Sequence, residues 1–180
     1  FADCTNLKGD VPFDSNHVDK TYARTSNGYL TYRRPATLAP GAEWYRSDNL
    51  GREKITKVTF MNFYAPTSYD ETWNADMDDK GTIKCYRTGT EVIITGNGAG
   101  KILANVDSTN MFANFVSAET VENLKLLDTS DVTNMYSMFT DCNALTNLDV
   151  SNFDTAKVTD MRGMFANCNG LTSLDLSNFN

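Results

Sequence analysis

Four cysteines and one histidine are the side chains best suited to chemistry in this sequence of 180 residues. Cys142 and Cys168 sit in nearly identical phrases, FTDCNAL and FANCNGL, and Cys4 sits in a third, FADCTNL. A cysteine kept in one slot of a repeat reads first as a small apolar residue packed in a column. Stacked neighbours would lie about 4.8 Å apart, within disulfide range, but with side chains parallel rather than converging. Zinc would want Cys-x-x-Cys or a Cys/His pair, and neither spacing occurs. Cys85 falls on the inward phase of a predicted strand and reads as a buried, free thiol. His17, flanked by Asp14 and Asp19, has no nucleophile or orienting partner in its neighbourhood, so it reads as a loop-capping or exposed residue.

Two short motifs imitate ligand loops. DMDDKG, Asp76 to Gly81, begins like a calcium loop, but Lys80 takes a ligand slot and Arg87 stands where the bidentate Glu belongs. A looser surface calcium site among Asp76, Asp78 and Asp79 competes with a solvated turn. GNGAGK, Gly96 to Lys101, lacks the glycine spacing of a phosphate loop, and Ile102 replaces the magnesium-binding hydroxyl, so it reads as a connecting turn. No pair of carboxylates stands out as an acid/base couple. The expectation is a protein that is not an enzyme, with no catalytic residue, no cofactor and no metal. Trp44, Tyr45, Tyr64, Tyr69 and Trp73 gather the aromatics; Trp44, Tyr45 and Trp73 are the candidates for stacking on a sugar, against the plainer reading of a sheet core.

What must position these residues is a repeat. Val132, Met135, Met138, Phe139, Cys142, Leu145, Leu148, Asp149 and Phe153 recur as Val158, Met161, Met164, Phe165, Cys168, Leu171, Leu174, Asp175 and Phe179, always 26 positions on. A more worn copy puts Met111 and Phe112 in the slots of Met138 and Phe139. Met135, Met138, Phe139 and Cys142 have the i, i+3, i+4, i+7 spacing of a short helix, and Leu148 and Val150 alternate with polar neighbours as a strand does. The spacing therefore predicts an α/β repeat solenoid with coils of about 26 residues and a parallel sheet, joined to a small mainly β domain; the Leu-x-x-Leu-x-Val/Leu runs at Leu145, Leu148, Val150 and at Leu171, Leu174, Leu176 resemble the strand segment of leucine-rich repeats, which makes the expected coils leucine-rich-repeat-like. Its expected core is Met135, Met138, Phe139, Cys142, Leu145, Leu148, Val150, Met161, Met164, Phe165, Cys168, Leu171, Leu174 and Leu176. The Asp-rich positions read as caps that satisfy backbone N–H groups at the corners.

The run LDVSNFDTAKVTDMRGMFANCNGLTSLDLSNF resembles the BspA-like leucine-rich repeat surface proteins of bacteria, over about residues 107–180. The likeness departs at Phe153 and Phe179, where the usual repeat carries the asparagine of a ladder. More loosely, WNADMDDKGTIKCYRTGTEVIITGNGAGKILAN resembles the segment that precedes such arrays, and FDSNHVDKTYAR the segment that closes them. The resemblance implies a secreted or wall-attached protein of adhesion or assembly, generally without catalysis. The resulting division is 1–32 as the closing segment of a preceding array, 33–72 as a β connector, 73–106 as a β-hairpin entry segment and 107–180 as coils.

The middle reads as β-rich, with a hairpin turning at Thr88 to Thr90 and a further strand carrying Val58 and Phe60. A net charge of −7 opposes a nucleic-acid or anionic membrane surface. No run approaches the roughly 20 apolar residues of a membrane helix. Phe1 opens inside a repeat, which is read as a window cut from a tandem-module protein, or a subunit whose ends complete a coil across an interface. The expected function is a non-enzymatic extracellular structural or adhesive module, tandem or self-assembling head-to-tail into a rod or filament. Its expected partners are neighbouring modules or copies of itself, with a host protein or glycan as a further candidate. The rival is a carbohydrate-binding surface module.

Overall fold

The structure is a computed structural model that describes residues 35–180; the closing segment, Cys4 and His17 lie outside the described residues. A five-stranded sheet of order β2-β3-β4-β1-β6 is built from β1 (Lys57–Met61), β2 (Glu71–Asn74), β3 (Lys84–Thr88), β4 (Glu91–Thr95) and β6 (Thr120–Glu122). β1 runs parallel to both β4 and β6, whereas β2, β3 and β4 are joined antiparallel. The β3–β4 hairpin turns at Gly89, whose φ of +58° suits glycine. Alternation sets the sheet's inner face: Val58, Phe60, Cys85, Val92 and Ile94 are wholly buried and register against one another across the strands. Strands thus come from both 33–72 and 73–106, and β2 itself spans Thr72 and Trp73.

A second, two-stranded sheet pairs β5 (Ile102–Leu103) with β7 (Leu127–Asp128) in parallel, and isolated parallel bridges join Asp107 to Asn134, Asn134 to Asp160 and Thr120 to Asn147. The last of these carries the β6 edge onward into the repeats, so that edge is not left bare.

The expected α/β solenoid is overturned. No α-helix occurs among the described residues, which are mostly β-sheet and turns, with only three short 3-10 segments at Gly41–Trp44, Arg52–Lys54 and Leu124–Leu126. The Met135-to-Cys142 stripe has helical spacing but is a run of turns, because Ser137 and Asp141 take φ of +53° and +61°, outside the right-handed helix. Leu148 and Val150 are buried in non-strand backbone. The i, i+3, i+4 pattern recorded which side chains face inward, and turns of three or four residues produce the same pattern as a helix.

Candidate functional site

In the first two turns of the stack alternate backbone N–H groups go local and the others go to the next turn. Met138, Thr140 and Cys142 donate to Met135, Ser137 and Phe139 carbonyls, three residues back. Met135, Ser137, Phe139 and Asp141 donate instead to the carbonyls of Asp160, Arg162, Met164 and Ala166, at 2.8–3.0 Å. The same four-rung pattern joins Ser108, Asn110, Phe112 and Asn114 to Asn134, Tyr136, Met138 and Thr140. The left-handed residues aim the N–H groups along the stack: Asn110 and Asn114 in one turn, Ser137 and Asp141 in the next, then Gly163 and Asn167.

Side chains reinforce the register. Phe112, Phe139 and Phe165 stack nearly parallel, with centroids 5.0 and 5.7 Å apart, and Phe153 lies 6.4 Å from Phe179 at an interplanar angle of 9°. Asn152 and Asn178, each one residue before those phenylalanines, donate Nδ2 to Leu127 O at 2.9 Å and Phe153 O at 3.0 Å. An asparagine ladder is therefore present one position earlier than the usual repeat places it. The repeated Ser-Asn-Phe was the signal for it. Asp128, Asp149, Asp154, Asp160 and Asp175 each accept the N–H two residues on, which makes them the corner caps. Arg162 forms a two-point pair with Asp160 and holds that carboxyl down at about 2.

The cysteine column is not merely apolar. Cys142 donates Sγ–H to Phe112 O and Cys168 to Phe139 O, each at 3.1 Å, and Cys85, Cys142 and Cys168 are all free thiols. Met135, Met138, Phe139, Cys142, Leu145, Leu148, Val150 and Met164 are buried. Met161, Phe165, Cys168, Leu171 and Leu174 are half-buried, and Leu176 is 40% exposed.

The two ends of the stack differ. At the upstream edge the carbonyls of Asp107, Met111 and Ala113 occupy the slots that an earlier turn would bond. Gly41 N–H, the Trp44 indole N–H and Arg52 Nη1 reach them at 2.8, 2.7 and 3.2 Å. Trp44 stacks on Phe115 at 5.8 Å, and the Arg52 guanidinium lies 5.4 Å from the Tyr45 and Phe115 ring centres, where burial pushes its pKa down. Residues 41–52 thus stand in for a preceding turn, a role the sequence reading missed because Gly41 and Arg52 carry no repeat signature. At the downstream edge, Met161, Gly163, Phe165 and Asn167 present N–H groups with no acceptor among the described residues. Beside them lies an open apolar depression of about 390 Å3 lined by Met161, Met164, Phe165, Leu176 and Phe179.

The candidate sugar platforms lie inside. Trp44 is wholly buried, Trp73 is 9% exposed with its indole donating to Trp44 O at 2.8 Å, and half-buried Tyr45 packs edge-on to both. Neither indole has a face open to a glycan. The three carboxylates of the DMDDKG motif diverge: Asp76 caps Gly81 and Thr82, Asp78 pairs with Lys80, and Asp79 with Arg46. Gly96 to Lys101 is a loop between β4 and β5. Among the described residues no helix is long and apolar enough to cross a membrane.

No curated protein and no solved structure matches the chain. One family model does: residues 106–180 are similar to the family described as "Mycoplasma protein of unknown function, DUF285".

Proposed function

We propose that this chain is a non-enzymatic, extracellular structural or adhesive module of a bacterial surface protein of the BspA-like kind, which works by continuing its stack of turns into a neighbouring module. The observation that carries the reading is the ladder between turns: Met135, Ser137, Phe139 and Asp141 bond four carbonyls of the next turn while Phe139 stacks on Phe165, a pattern that the downstream edge can repeat toward a further turn, of this chain or of a neighbour. A partner turn offering four carbonyls and a phenylalanine ring would fit that edge in register. Head-to-tail docking of whole copies has the same chemistry, but the incoming copy must first release Gly41, Trp44 and Arg52 from its own carbonyl edge. The family likeness over residues 106–180 supports the bacterial source.

Electron microscopy of native surface material, labelled for this chain, tests the reading: elongated periodic objects are expected, and isolated globules would overturn it. Substituting Leu176→Glu with Phe179→Glu, at the exposed edge, should abolish association with neighbouring modules while leaving the sheet's thermal transition in place.

A further inference from the structure

We propose that residues 63–69, between β1 and β2, are a proteolytic processing site, where an endoproteinase that selects aromatic residues cuts the chain and leaves the upstream cap held by non-covalent contacts alone. β1 ends at Met61, level with Thr95, Lys84 and Asn74, whereas β2 begins at Glu71, which registers with Arg87 nearer the opposite end of the sheet. The connection must therefore run back past β4 and β3, and Tyr69 packs on Tyr86 at 5.2 Å, on the face away from buried Cys85. Its two ends are tied down. Asn62 accepts the N–H groups of Gly98 and Gly100, and Asp70 N–H reaches Arg87 O at 2.8 Å. Between those anchors residues 63–69 make no hydrogen bond, the longest such stretch among the described residues.

A proteinase takes its substrate as an extended strand and bonds it along the main chain, so a run whose N–H and C=O groups are free is what it can seat. Phe63, Tyr64 and Tyr69 are 67%, 37% and 46% exposed, and none of the bonds that follow them leads into Pro66. Tyr136 is as exposed, at 41%, but its N–H goes to Asn134 and its carbonyl takes Asn110 N–H, which makes it the internal control. In the cut, water adds across one amide: its hydroxyl goes to the carbonyl carbon and its hydrogen to the nitrogen, leaving a carboxyl and an amine that exchange a proton. β1 stays between β4 and β6 with Val58 and Phe60 wholly buried, so the two pieces remain one folded body. The upstream piece carries Gly41, Trp44 and Arg52. On the stacking reading above, on which this consequence alone rests, a cap without its tether is one that a neighbouring copy can displace, because it no longer rebinds at a high effective concentration.

The test treats the whole chain briefly with chymotrypsin, maps the cuts by mass and follows urea unfolding of the product. Expected are an early cut after Phe63, Tyr64 or Tyr69, ahead of any other between residues 35 and 170, and two pieces that co-elute in native buffer. The unfolding midpoint of the cut protein should lie below that of the intact chain and rise with protein concentration, as a two-piece complex requires. Phe63→Ser with Tyr64→Ser should slow the early cut at least tenfold and leave the midpoint of the intact chain in place. A first cut at Tyr136 or elsewhere between residues 71 and 170, pieces that separate at once, or a midpoint independent of concentration overturns the proposal. Electron microscopy of the native material reads the stack and not the cut, so the two readings fail separately.

Discussion

At the scale of single residues, buried polar groups fix the sheet's outer strand. Arg87 is only 11% exposed in its side chain and bonds Glu71 through Nε at 3.1 Å, Asp70 through Nη1 at 3.2 Å and Gly89 O at 2.8 Å. Burial raises the Glu71 pKa, but the Ser47 hydroxyl, the Asp48 N–H and Arg87 together outweigh it and leave the carboxyl below its ordinary 4.5. A carboxyl depressed in the folded state adds stability that is full above the unfolded value and lost as pH falls through the folded one. Unfolding midpoints should therefore drop as pH falls from about 5 toward 3. Glu71→Gln should flatten part of that slope and cost about 3 kcal/mol at neutral pH by leaving Arg87 short of a partner. Trp44→Phe shrinks the buried indole to a phenyl ring and strips the N–H from Met111 O; a loss of about 2 kcal/mol or more is expected in urea unfolding. None of these partnerships was legible in the sequence, since Arg87 and Glu71 are 16 positions apart and become neighbours only through the β2–β3 register.

At the scale of elements, the repeat was legible and its backbone was not. Phe139, Cys142 and Leu145 announced an inward column through their recurrence; those three are buried, and their counterparts Phe165, Cys168 and Leu171 in the last turn are half-buried. Secondary structure depended instead on Ser137 and Asp141 adopting positive φ, which their residue types permit but do not announce. Ser137 offers the sharpest check. Ser137→Val places a β-branched residue at φ +53° and should cost about 2 kcal/mol, whereas Ser137→Gly should be neutral or mildly stabilising. A helix at this position would reverse the order, since glycine is the poorer helix former. Phe139→Ala removes a ring sandwiched between Phe112 and Phe165 and should cost about 4 kcal/mol in thermal or denaturant unfolding. The β3–β4 hairpin was readable because Gly89 marks its turn and Cys85, Val92 and Ile94 alternate around it.

At the scale of the whole unit, residues 35–180 form one compact body in which sheet and turns share a core running from Val58 through Phe112 to Phe153. The aromatic cluster of Trp44, Tyr45 and Trp73 joins them from within, which is why aromatics suggestive of a binding face turned out to be packing. Inside the stack, the bonds between turns point along its long axis, so a pull on that axis strains one rung set at a time rather than a whole sheet in shear. Stretched between a bead and a surface, the protein should therefore yield as a sawtooth of small forces. Each tooth would free one repeat of 26 residues, roughly 90 Å of extended chain. A molecule that lengthens in such instalments dissipates sudden load and re-zips when slack returns.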